Sequence, residues 1–510
     1  MWDKCFSFRI ETKINVYDKI KNKNNALMSK SLKQFFLGGL SLSAVNISGK
    51  IVNLLVLPII TAYLSPKDFG VIAVYMLVIS VLGMLYNPGI ISVTLRLYYD
   101  YDDDDIRNKK LVGSSFVFLI TMPLLFVFFC CVFQDSLFIF FFKDFTFWPY
   151  GFLAVLASIT PQVVRLWSTL WVAKHKTNRV AITSFFRILL AISISLFLIV
   201  FLEMGAMGRI LGLFIGNMVV FSIAFYDVFK YTKFRFSFDT LKHTLILGFP
   251  LVFSVFSYVI MESSDKYMLE SMVGLHDLGI YDIAYTYSAI PLFLIVGFSQ
   301  VWQPVFYENM KKGTKKVLQK LSNYYVIIFL LISSFVIVFS NEVFNIFVNE
   351  KYIDAITIVP WIVVGIFFLG LSNFIASIYS YQKKFKEIGL IATIVAVLNI
   401  VLNYFFIKNL GLKGAAIASA LTYFLYFGIL VFRIKNDFIT IFSIKTFMLI
   451  LTIIVVLSVS FIFINSNYLE FDFLNIIFKV AGMIGIIVLL IITKVIDTKD
   501  VRYVLNFFHK

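Results

Sequence analysis

GGLSLSAVNISGKIVNLLVLPIITAYL (Gly38–Leu64) is followed by a short turn, SPKDFG (Ser65–Gly70), and by a second apolar run that ends at Arg96. An apolar stretch of about 20 residues is long enough to cross a bilayer as a helix. Lys50 lies roughly 20 Å into the first run at 1.5 Å per residue. That is too deep for its ammonium to snorkel comfortably to either interface, so it is expected to face protein or water rather than lipid. The hairpin therefore implies a membrane protein with a positively charged interior. The bland alternative is an ion pair between Lys50 and a carboxylate on another helix.

Composition agrees with the hairpin. Of 510 residues, 60% are hydrophobic and only 15% charged, with a mean hydropathy of +0.90. No soluble domain needs so much apolar surface. The runs are long and continuous, unlike the short alternating segments of a β-barrel. The expected fold class is all-α: a polytopic membrane protein of about fourteen helices. The net charge of +16 suggests nucleic acid at first sight, but no basic stripe or binding module accompanies it. Cys5, Cys130 and Cys131 offer no disulfide framework or zinc spacing, and the four histidines form no cluster. No cofactor is called for.

The fourteen expected spans are roughly 37–63, 70–95, 111–134, 147–172, 180–202, 210–229, 245–270, 280–304, 321–348, 353–380, 388–407, 414–432, 446–465 and 473–493, with a kink expected at Pro360. With both termini placed in the cytoplasm, the cytoplasmic segments hold 34 Lys and Arg. The outer segments hold 6, Arg209 among them, and Lys50, Arg165, Arg187, Lys266 and Lys479 lie inside spans. This split is the positive-inside pattern. The expected layout is a polar N-terminal extension (1–30), a six-helix lobe (31–229), a cytoplasmic linker (230–244), a second six-helix lobe (245–433) and an extra helix pair with a tail (434–510). The first 27 residues lack an apolar core, and MSKSLKQFF from Met28 reads like a natural start.

An internal repeat supports the division. TAYLSPKDFGVIAVY (Thr61–Tyr75) and ESMVGLHDLGIYDIAY (Glu270–Tyr285) both carry an acidic residue, a hydrophobe and a glycine before an apolar run. Six spans per unit place both halves in the same orientation. They should be related by a pseudo-two-fold axis along the membrane normal, with a substrate path between them.

Four further sets of residues could carry chemistry. Arg165 and Arg187 sit about 10 Å inside the cytoplasmic ends of spans four and five, and Arg96 ends span two on that side. Each could be a topology anchor, but with Lys50 they make a cationic half-cavity suited to a diphosphate headgroup. Glu262, Asp265 and Lys266 share a face of span seven, since they are spaced i,i+3 and i,i+4. They read either as a self-satisfied ion pair or as a site coupling H+ or Na+. Gln300, Trp302 and Gln303 near the end of span eight could contact a sugar, and Trp302 could equally anchor an interface. The run Asp102–Asp105 reads as a solvated acidic loop rather than a metal-binding pair. No phosphate loop, nucleophile elbow or HExxH is present, so an enzyme is not expected.

LPIITAYLSPKDFGVIAVY (Leu57–Tyr75), GFPLVFSVFSYVIMESSDKYML (Gly248–Leu269), IYDIAYTYSAIPLFLIVGFSQVWQPVFYE (Ile280–Glu308) and NLGLKGAAIASALTYFL (Asn409–Leu425) resemble bacterial polysaccharide transporters. These are O-antigen-type flippases of the multidrug/oligosaccharidyl-lipid/polysaccharide (MOP) exporter superfamily. The resemblance runs from Ser31 to Arg433. It implies alternating access in the bacterial inner membrane and a substrate of undecaprenyl-diphosphate-linked oligosaccharide. Polysaccharide polymerase and assembly proteins would be partners, besides the membrane lipids. A lipid II flippase or a drug/cation antiporter of the same superfamily is the nearer alternative. A membrane glycan polymerase or ligase is the distant one, and the short outer loops argue against it.

Overall fold

The structure is a computed structural model. It describes residues 52–101, 105–174, 176–292, 315–434 and 473–493, with isolated pieces near 49, 302–310 and 448–458. The described residues form helices and turns and no strand. Ten helical segments among them are long and apolar enough to cross a membrane. The other four expected spans fall on helices that are shorter or more charged: α1 (Val52–Tyr63), α10 (Phe238–Met272), α11 (Leu275–Ser288) and α17 (Met448–Ser458).

The first half begins with α1 and the turn Ser65. Ser65 caps α2 (Pro66–Leu85) through a reciprocal pair with Asp68, and Pro66 opens the helix, where its missing N–H costs nothing. The second expected span is broken. α2 stops at Leu85, Gly89 adopts a left-handed φ of +73°, and α3 (Ile90–Asp100) continues. A Cβ on Gly89 would come within 2.6 Å of the Gly248 carbonyl oxygen, so the break is also where α10 passes. α4 (Asp105–Val132), α5 (Gln134–Phe141), a wide turn at Phe147–Gly151, α6 (Phe152–Ala157), α7 (Ile159–Ala173), α8 (Thr177–Val200) and α9 (Gly205–Thr232) complete this half.

The second half opens with α10 and α11 and continues through α12 (Lys315–Val338), α13 (Ser340–Phe347), a 3-10 turn at Glu350–Thr357, α14 (Val359–Tyr381), α15 (Phe385–Leu410) and α16 (Leu412–Arg433). Pro360 sits in the first turn of α14, just after the 3-10 segment, where a proline is tolerated, rather than inside a continuous helix that it would kink. α8 packs on α9 in the first half, and α16 packs on α14 and α15 in the second. α2 and α11 join the halves.

The last helix, α18 (Phe473–Ile492), reaches α12, and Lys479 pairs with Glu342 on α13 at 2.7 Å. Both side chains are only 13% exposed. Breaking such a pair strands a buried charge. Lys479→Met should therefore cost about 3 kcal/mol, read as a lower melting temperature, and adding Glu342→Leu should restore most of it. Equal melting of the two variants would contradict the pairing.

Candidate functional site

Small residues let α8 and α9 touch by their backbones. A Cβ on Gly212 would come within 2.5 Å of the Ser195 nitrogen, and one on Gly216 within 2.9 Å of the Ala191 Cα. Such close approach is how helices associate in lipid without a hydrophobic driving force. It brings Arg187 of α8 against Asn217 of α9, where Nη1 donates to Oδ1 at 3.0 Å. Arg187 lies about 15 Å from the start of α8, and its partner is a neutral amide.

The other cations of the first half are placed differently. Lys50 lies outside the described residues. Arg96 is 82% exposed on α3 and meets Asp100 at 3.8 Å, one turn away. Arg165 is exposed on α7. Among the described residues no hydrogen bond or ion pair joins these two to Arg187. Arg209 is a correction. Expected in an outer loop, it stands inside α9, because that helix begins at Gly205, five residues before the expected span. Its Nη2 donates to Asn53 Oδ1 of α1 at 3.0 Å.

The second half holds a buried polar seam. Asp265 on α10 is 3% exposed and accepts from the Tyr281 hydroxyl of α11 at 2.5 Å and from Ser419 of α16 at 3.3 Å. The neighbouring Lys266 is held by the next helix. It reaches across to Asp282 of α11 at 2.5 Å, with the Tyr285 ring 5.1 Å from its ammonium. Next to Asp265 on α10 the seam continues from Ser264: Ser264 bonds Asn399, Asn403 donates to both, and Asn399 donates to Thr422 at 3.0 Å. Glu262 faces outward on the same helix.

The end carrying the α1–α2 turn, the outer end in the expected orientation, is sealed between the halves. α2 and α11 cross at glycines that are equivalent in the repeat. A Cβ on Gly70 would lie 1.9 Å from the Leu275 oxygen, and one on Gly279 would lie 1.7 Å from the Pro66 oxygen. The two contacts are mirror partners, as an approximate two-fold requires. Glu270 at the end of α10 accepts the backbone N–H groups of Lys143, Asp144 and Phe145 at 2.8–3.3 Å. Tyr352 donates to the Leu64 carbonyl at 2.8 Å and packs edge-on to Phe69.

The family described as "polysaccharide biosynthesis protein" matches residues 36–310, more than half of the chain. The chain belongs to that polysaccharide biosynthesis family. A second family, MatE, matches residues 250–405. The fold of this family member is similar to that of the lipid II flippase MurJ in an inward closed conformation, with a TM-score of 0.71 at 17% identity over 89% of this chain and 98% of that one. An inward-facing multidrug-resistance MATE transporter of the MOP superfamily gives 0.62 at 16% identity over 77% and 98%. A MOP transporter from Pyrococcus furiosus, described by the reverse polarity of its binding pocket, gives 0.55 at 14% identity over 79% and 96%. No curated protein sequence matches. The chain thus has the helical fold of MOP transporters.

In this family member Trp302 is 3% exposed, donates to Ser377 at 3.0 Å and stacks on Phe374 with centroids 4.1 Å apart. It is a packing residue rather than an open sugar platform or an interfacial anchor. Gln300 and Gln303 lie outside the described residues. Among the described residues no group of three His, Cys, Asp or Glu is placed to hold a metal. The Asn399/Asn403 pair and Arg209 were missed in the sequence. Their signals were the i,i+4 asparagines within an apolar run and the Gly208, Gly212, Gly216 ladder, which marks α9 as a helix already underway at Arg209.

Proposed function

We propose that this protein is a flippase for a polyprenyl-diphosphate-linked oligosaccharide, undecaprenyl diphosphate being the expected carrier, moved from the inner to the outer leaflet by alternating access. The observation that carries the reading is Arg187. A guanidinium well inside a membrane helix, held by the neutral Asn217, keeps its whole charge for an incoming phosphate. The family membership supplies the context. The symmetric α2–α11 crossing supplies a closed outer end that a rocking motion of the two lobes would open. Lys50, where the sequence places a mid-span cation, adds to the headgroup site. Arg96 and Arg165 serve as anchors at the inner rim. The setting is the bacterial inner membrane with both termini cytoplasmic, beside polymerase and assembly proteins.

The coupling ion, H+ or Na+, is assigned to Asp265 and the seam around it. Asp265→Asn removes the charge but leaves Lys266 paired with Asp282. It should fold normally, transport at a tenth of the rate or less, and lose dependence on an imposed ion gradient. Unchanged gradient dependence would contradict the assignment. A drug/cation antiporter is the second reading, favoured by the buried Asp265 and opposed by the cationic first half.

The test is the lipid-linked glycan pool in a deletion strain. Complete repeat units trapped on the cytoplasmic leaflet are expected. Trapped lipid II would make that the substrate. Units on the outer face but left unpolymerised would point to a polymerase or ligase, and an unchanged pool to the antiporter.

A further inference from the structure

Arg209 carries an uncompensated charge. Its Nη1 is buried without a hydrogen-bond partner, and its Nη2 is held by Asn53. Among the described residues no carboxylate forms an ion pair with it. Of the carboxylates at that end of α9, Glu203 is exposed to the surroundings and Asp68 is already occupied. It accepts from the Ser65 nitrogen at 2.8 Å, the Ser65 hydroxyl at 2.6 Å and the Ala206 nitrogen at 3.3 Å. Arginine keeps its proton at any physiological pH, and a cation inside a membrane is costly unless paired. A neutral amide satisfies one N–H and leaves the charge.

Arg187 also leans on a neutral amide, and the two arginines are linked through α9. Arg209, Leu213 and Asn217 follow one another at four-residue steps, beside the glycine ladder that faces α8. Asn217, which holds Arg187, is therefore about 12 Å further along the ridge that starts at Arg209. Two arginines, each leaning on an asparagine, mark one line through the first half.

We infer that Arg209 with Asn53 is a second, outer anion station, which takes a phosphate-class oxyanion passed on from Arg187. The guanidinium offers Nη1 and, as Asn53 turns aside with α1, Nη2 to two oxygens of one phosphate. The station rests on the transport reading for the identity of the lipid, but not for the anion contact itself.

The full-length protein in detergent is titrated with inorganic pyrophosphate and, separately, with micelles carrying a polyprenyl diphosphate, while binding heat and melting temperature are followed. Both probes should bind with an affinity that falls with salt, and Arg209→Gln should weaken each about tenfold. Asn53→Ala keeps the cation and removes its neutral partner, so affinity should rise several-fold; this variant serves if Arg209→Gln does not fold. Wild-type affinity in the variants overturns the inference. Arg209-dependent binding of pyrophosphate alone supports the station and assigns it to a free oxyanion. Arg209-dependent binding in a protein that moves no lipid-linked oligosaccharide leaves the station standing and rejects the transport reading. Transport with Arg209-independent binding does the reverse.

Discussion

Gly279→Ala should cut transport more than tenfold while the helices still form. The added Cβ would sit 1.7 Å from the Pro66 carbonyl oxygen, a backbone atom that cannot rotate away. α2 and α11 must separate by more than 1 Å, a strain of about 1–3 kcal/mol that falls only on the state with the outer end closed. The expected consequence is a population shifted towards an open outer end. Gly70→Ala should do the same through the equivalent contact with Leu275, 1.9 Å away. The double variant should cost less than the two single costs together, since one separation relieves both. Gly428→Ala on α16 is the control. Nothing lies within 4 Å of its Cβ position, so it should be neutral or slightly stabilising. Cysteine pairs across the outer end, crosslinked with and without the glycine variants, read the shift directly. Full crosslinking and normal transport in Gly279→Ala would contradict the closed crossing.

Arg187→Gln should abolish movement of the anionic lipid. Gln is a neutral polar side chain two bonds shorter, and the α8–α9 contact, which rests on Gly212 and Gly216, should hold without the Asn217 bond. What is lost is the charge. One charge-assisted contact to a phosphate is worth about 1.5–3 kcal/mol, or roughly ten- to a hundredfold in affinity. Arg187→Lys keeps the charge without the planar fork and should fall between the two. Thermal melting should change little in either variant. A large loss of stability with transport per folded molecule unchanged would make Arg187 a strut.

The same contrast explains what the sequence could and could not disclose. The turn Ser65–Gly70 is legible because its chemistry is local, and the structure adds the capping pair of Ser65 and Asp68. The repeat is legible because the two-fold demands the same glycine at Gly70 and Gly279. The Lys266–Asp282 pair is not legible, because it is made across the α10–α11 crossing and no periodicity along α10 reports it. Arg209 was misread because GAMGRILG opens with glycines that resemble a loop, yet in lipid these same residues pack one helix on another. The break at Pro88–Gly89 was passed over because hydropathy averages across it. Trp302 shows the limit for aromatics, as the same ring suits an interface, a sugar or a core, and only the packing of Phe374 and Ser377 decides.

The most direct measurement of the central claim is transbilayer movement of a labelled polyprenyl-diphosphate oligosaccharide in vesicles reconstituted with the purified protein. Wild-type vesicles should expose the inner-leaflet label to an external glycan-cleaving enzyme, and Arg187→Gln vesicles should behave like protein-free ones. Equal exposure in wild-type and protein-free vesicles, with the protein folded and correctly inserted, would contradict the account.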